Sequence, residues 1–339
     1  MKRIFTVALC ILLLFTAVFA VSCKDNSAEN GTVSVRYFEK ATDMIPLLKQ
    51  GQLSVGLLPE PAATQLTKVA NDKTWFRMDV QELYDGASKS YPQAVMLVKQ
   101  SVLATFPNLV SQMESAFSAN VQWVKENTSN AVGAVNEKLA QGVTPSLNAQ
   151  NITAEVVDNC KIYWQGAQNA KTVVKNYIDD IIAIEESSAK AVSEDLFYNG
   201  QASGNFASDT IKVVVPDGAP ALAIAKFIYD GENFGTNKTF SYSVVASGNI
   251  GGAVQQGLGD IVIIPVNAAS KLYKANSADT YKLVSVVTHG NLYIMSTEEF
   301  TSVTELKDKV IGVIGQGLVP DLTFKAVLNK NKMTTQVAI

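Results

Sequence analysis

The chain has 339 residues, 17% of them charged, with a formal net charge of -3 and no basic cluster, which excludes a surface built for nucleic acid. Its one histidine, His289, excludes the usual multi-histidine metal sites, and neither a metal nor a cofactor is expected. Of its three cysteines, Cys10 and Cys23 lie in or at the end of the N-terminal apolar region, so Cys160 has no partner for an internal disulfide.

Taken in chain order, Lys2 and Arg3 precede an uncharged apolar run from Ile4 to Val21, the layout of an export signal and not of a domain element. The run closes in Ala20-Val21-Ser22-Cys23 and polar KDNSAENG, an ending that resembles a bacterial lipobox, with Ala20 where a larger aliphatic is usual. The resemblance implies an acylated Cys23 as first residue of the exported chain. Residues 1–23 are thus read as signal peptide and 24–32 as a tether.

Short apolar runs closed by Gly, Pro or Asn follow at Val33–Tyr37, Ser54–Leu58, Ile211–Val215, Tyr242–Ala246, Ile261–Ile264, Leu283–Val287 and Val310–Ile314. Continuous apolar character points to strands covered on both faces. Helices are expected over Phe106–Glu126, Ala154–Tyr177, Ala219–Tyr229 and Val319–Asn329, and strand alternating with helix predicts parallel α/β sheets. Val156, Cys160, Tyr163, Ala167, Ala170, Val174 and Tyr177 recur at helical spacing, which makes Cys160 a core thiol. Asn199–Ser208, rich in Gly, Ser and Asn, reads as a flexible linker.

Three of the strands run into loops that open helices: Pro216-Asp217-Gly218-Ala219-Pro220, Pro265-Val266-Asn267 and Gly315-Gln316-Gly317. Each alone is compatible with a tight turn. Together they point to a cleft, because open α/β sheets bind ligands beyond the carboxyl ends of their strands.

The segments VVVPDGAPALAIAKF, GDIVIIPVNAASKLY, YKLVSVVTHGNLYI, LKDKVIGVIGQGLVPDLTFKAVL, RYFEKATDMIPLLKQG, VGLLPEPAAT and YPQAVMLVK resemble ABC-transporter substrate-binding proteins of the thiamine-pyrimidine, sulfonate and nitrate type. In that family the PDGAP strand comes first and the PEPAAT and YPQA segments later. Here the later half stands at Val33–Tyr198 and the first half follows from Ile211, as in a circular permutation. The resemblance implies a two-lobed periplasmic-binding-protein fold of type II with a hinge. Residues 33–84 and 308–339 would form lobe two, 92–198 and 209–298 lobe one with the hinge strands, and 199–208 the linker. Asn291–Ser296 and Gln93–Lys99 are the expected crossings.

For the cleft, the candidates on lobe one are Asp217, Gly218, Ala219 and Pro220, with Asn267 as a ligand amide or a helix cap. His289, Gly290 and Asn291 stand at the crossing, where His289 is either a pocket residue or a satisfied structural one. Lobe two offers Gly315, Gln316 and Gly317 at a helix start, and Glu60 as an acceptor or a turn residue between two prolines. The implied function is capture of a small organic solute and its delivery to a permease and its ATPase, by a monomer exported and held at the membrane through Cys23. Alternatives are a surface lipoprotein that binds a macromolecule, or an enzyme of the related pyrimidine-synthase branch. That branch uses a cysteine-rich motif absent from this sequence, so no catalytic residue is expected.

Overall fold

The computed structural model describes residues 31–86, 90–275 and 279–338. The apolar leader and Cys23 lie outside the described residues, and among those described no helix is long and apolar enough to cross a membrane. The strands are β1 (Gly31–Phe38), β2 (Val55–Pro59), β3 (Phe76–Asp79), β4 (Pro92–Lys99), β5 (Ile162–Gly166), β6 (Thr210–Pro216), β7 (Thr239–Val245), β8 (Ile261–Pro265), β9 (Tyr281–His289), β10 (Leu292–Ser296), β11 (Val310–Ile314) and β12 (Met333–Val337). They form two six-stranded sheets, ordered β12-β1-β11-β2-β10-β3 and β5-β9-β4-β8-β6-β7.

Aliphatic runs such as those of β8 and β11 are buried because helices cover both faces of each sheet. The expected all-parallel sheets are corrected to mixed ones. In the first sheet β12, β1, β11 and β2 are parallel, and β10 runs antiparallel between β2 and β3. In the second, β7, β6 and β8 are parallel, and β4 runs antiparallel between β8 and β9. Each inserted strand arrives from the opposite sheet: β10 follows β9 across Gly290 and Asn291, and β4 follows the helix after β3. This reciprocal exchange gives a two-lobed α/β architecture joined by two crossings.

The strand Gly31–Phe38 pairs parallel to β11, with Val35 opposite Ile311 and Tyr37 opposite Val313, although the two stand at opposite ends of the chain. Gly31 and Thr32 therefore belong to β1 and not to a tether. The Ala167–Ile184 helix lies between the lobes. Its buried stripe of Ala170, Val174, Tyr177, Ile178 and Ile181 joins one core with Val35 and Val313 of the first sheet and Val95 and Val262 of the second. Tyr91 stacks on Tyr177 at 5.5 Å, Tyr84 meets both rings edge-on, and Tyr177 Oη lies 2.6 Å from Thr323 Oγ1.

Two local expectations change. Ala154–Tyr177 is not one helix: Lys161 at φ 50° ends Ala154–Asn159, and Ile162–Gly166, rich in β-formers, becomes β5. The Asn199–Ser208 segment has neither helix nor strand, yet Ala202 and Phe206 pack on the lobe-one core and the Phe206 N–H donates to Thr105 Oγ1 at 2.9 Å. Those anchors offset the flexibility its composition implies.

Candidate functional site

The parallel strands of each lobe end at the boundary between lobes, and the candidate residues fall there in three groups. At the end of β6, Asp217 is buried and accepts from Gly218 N at 2.8 Å and from Ser146 N at 2.7 Å. The Gly218 N–H expected to face a ligand is thus held by the neighbouring carboxylate. Ala219 and Pro220 open a helix of only four residues, Ala219–Leu222. The irregular segment carrying Ser146 then reaches lobe two, where Lys68 Nζ donates to the Gln150 carbonyl at 3.3 Å.

The second group joins the lobes. Asn267 sits inside the first turn of the Val266–Leu272 helix, whose cap is Pro265, so the capping role is corrected. Its Nδ2 donates to the Ser188 carbonyl at 3.1 Å while its Oδ1 is buried with no hydrogen-bond partner among the described residues. Across the boundary, Gly317 adopts φ 70°, a left-handed backbone suited to glycine, and a Cβ there would lie 3.9 Å from Ser188 Oγ and 3.8 Å from Glu185 Oε1. Gly317 N donates to Asp321 Oδ2 at 2.8 Å, so this helix start already holds a carboxylate. Asp321 is fully buried and also accepts from Tyr37 Oη at 3.0 Å and Lys325 Nζ at 2.9 Å. Burial first, then the nearby Asp321 charge, raises the Tyr37 phenol above its ordinary range. Gly315 bonds through its N–H to the Phe38 carbonyl at 2.8 Å, and Gln316 is exposed.

The third group is the hinge. Gly290 has no room for a side chain: a Cβ would fall 2.3 Å from the Tyr91 ring and 2.7 Å from Gln81 Cγ. Glu60 N donates to the Asn291 carbonyl at 3.0 Å and Asn291 Nδ2 returns a bond to the Glu60 carbonyl at 3.3 Å, continuing the β2–β10 pairing of the first sheet up to the crossing. Glu60 is buried with its carboxylate on Arg77 and on Thr64 N and Oγ1. Asn291 Oδ1 and Gln81 Nε2 are buried without partners among the described residues. His289 stacks on Tyr163 at 3.5 Å, with Nδ1 3.3 Å from the Lys161 carbonyl and Nε2 3.2 Å from Gln165 Oε1. Burial pushes its pKa down to about 3, so the ring is neutral. Cys160 is buried, and burial raises its thiol pKa.

The structure therefore brings Asn267 together with Gly317, and His289, Gly290 and Asn291 together with Glu60, while Asp217 stands with the Ser146 segment. Ser188, Glu185, Asp321, Lys325 and Ser146 were not foreseen. Asp321 alone had a local sign, an acid four residues after a glycine turn at a helix start. An open groove of about 480 Å³ lies beside the Ser146 segment, between Val132, Asn136, Pro145 and Leu147, and contains none of the sequence-predicted residues. No group of three or more His, Cys, Asp and Glu able to hold a metal occurs among the described residues.

No protein-family model matches the chain, and no curated protein matches it. Among solved structures it is similar to NikA from Staphylococcus aureus in complex with Ni(L-His)2, at 8% identity and a TM-score of 0.31 over 79% of this chain and 58% of that one. It is also similar to NikA from Brucella suis in complex with Fe(III)-EDTA, at 8% identity and a TM-score of 0.27 over the same shares. The chain thus spans 58% of the length of these two structures, and an overlap this loose carries no argument about ligands.

Proposed function

We propose that the protein is the solute-binding component of an ABC importer, which captures a small organic molecule between its lobes and performs no chemistry on it. The observation that carries this reading is the meeting of Asn267 from one lobe with Gly317 from the other around Ser188, at the carboxyl ends of β8 and β11. Unpartnered buried amide atoms on Asn267, Asn291 and Gln81 add hydrogen-bonding capacity at the same boundary. The neutral, stacked His289 and the buried Cys160 favour binding over catalysis, since neither is placed as an activated base or nucleophile.

The resemblance of seven segments to the thiamine-pyrimidine, sulfonate and nitrate type supports a subtype and a permuted order. The parallel pairing of β1 with β11 and the short cover from Asn199 to Ser208 are what that order requires. Export and attachment through an acylated Cys23 belong to the same reading, with the permease and its ATPase as partners.

Thermal-shift screening of the exported domain with aminopyrimidines, alkyl sulfonates and short carboxylates checks the proposal. At least one class should raise the melting temperature, by an amount that grows with concentration. If none does, and a protein partner does instead, the surface-lipoprotein reading replaces it.

A further inference from the structure

The segment from Glu185 to Lys190 follows the helix between the lobes and crosses the boundary where the two candidate loops meet. To lobe one it is tied three times: the Ser188 carbonyl accepts from Asn267 Nδ2 at 3.1 Å, Lys190 N donates to Ser270 Oγ at 3.0 Å, and Lys271 Nζ donates to the Ser187 carbonyl at 3.3 Å. To lobe two its polar tie among the described residues is a single ion pair, Glu185 Oε2 with Lys325 Nζ at 3.4 Å, and Lys325 is itself held by the buried Asp321. Ser188 and Ala189 are buried, so the segment fills the space and does not lie across its mouth.

We propose that Glu185–Ala189 is an internal strap that stands in for solute: in the solute-free protein it occupies the space between Asn267 and Gly317 and holds the lobes together until a solute displaces it. The inference rests on the solute-binding reading above. The strap also states the chemistry of what replaces it. Asn267 Nδ2 is held by a peptide carbonyl, and the Gly317 side faces a hydroxyl and a carboxylate, so the incoming group must bring an oxygen acceptor to Asn267. Because lobe one holds the strap by three bonds and lobe two by one half-buried pair, release begins at Lys325. Ser188 Oγ donates to Glu185 Oε1 at 2.8 Å, which fixes that carboxylate toward Lys325.

The test compares wild type with Glu185→Gln, which keeps shape and removes the charge. Amide hydrogen exchange of solute-free protein should speed up at least threefold in both the 185–190 and 315–318 peptides, and not elsewhere in the two sheets. Any aminopyrimidine, alkyl sulfonate or carboxylate that stabilises wild type should bind Glu185→Gln at least twofold more tightly, since the competing segment is loosened. Unchanged exchange in both peptides overturns the strap whatever the solute is. Weaker probe binding by Glu185→Gln also overturns it, because the segment would then be part of the solute site and not its competitor. Should no probe bind either protein, the solute-binding reading fails by itself while the exchange result still decides the strap.

Discussion

The imidazole of His289 has one face against Tyr163 and both nitrogens within 3.3 Å of oxygen atoms, on the Lys161 carbonyl and the Gln165 amide. A neutral ring donates through one nitrogen only, and burial keeps it neutral down to a pKa of about 3. In the unfolded chain the same group titrates near its ordinary value of 6.5. Between those two values the unfolded state takes up a proton that the folded state refuses, so stability falls as pH falls through that window. His289→Gln removes this component. Between pH 7 and pH 5 its unfolding free energy should drop by about 1–2 kcal/mol less than that of wild type, measured by urea denaturation at both pH values. Equal drops would mean that His289 is not shielded from solvent as the stack implies.

At the scale of elements, the runs at Val310–Ile314 and Ile261–Ile264 were legible as strands because burial on both faces leaves an unbroken aliphatic signature. β3 and β5 were not, since Phe76–Asp79 is short and half-buried, and Ile162–Gly166 carries apolar residues at positions that also fit a helix. The candidate site was legible only in its loops. Asp217, Asn267 and Gly317 follow strands and could be placed by local chemistry, whereas Ser188 and Glu185 reach the boundary through the packing of a preceding helix, which no local pattern encodes. Asp321 shows the same division. Its position at a helix start and its bonds four residues away to Gly317 and Lys325 are local, but its bond to Tyr37 comes from pairing β1 with β11. Asp321→Ala should therefore cost about 3 kcal/mol or more in chemical denaturation, because it takes the acceptor from Tyr37 Oη and the Gly317 N–H together and leaves Lys325 only Glu185, and Asp321→Asn should cost less. A loss under about 1 kcal/mol for Asp321→Ala would show that water replaces the carboxylate freely.

At the scale of the whole molecule, the pairing registers show where the chain order is free to change. Gly31 of β1 stands opposite Met333 of β12, on a neighbouring parallel strand, so the residue that leaves the Val319–Lys330 helix arrives beside the start of β1. A chain that begins at Thr210, runs to Lys332, continues through a short glycine bridge into Gly31 and ends at Tyr198 keeps every strand neighbour except β12. The helix-to-strand step then has the length usual for α/β connections. Removing β12 uncovers one edge of β1, and of its five residues only Met333 is buried, so the apolar loss is about 2–3 kcal/mol. Loop closure at the new junction changes the balance little, because its entropy grows slowly with length. The reordered protein should unfold in one cooperative transition, with a far-ultraviolet circular dichroism spectrum like that of the natural order and a melting temperature a few degrees lower. If it collapses without a cooperative transition, β12 is not an added edge but part of the nucleus of the first sheet. The proposed permuted order would then lose its physical basis, since the first sheet would not tolerate the cut that such an order places between the Val319–Lys330 helix and β1.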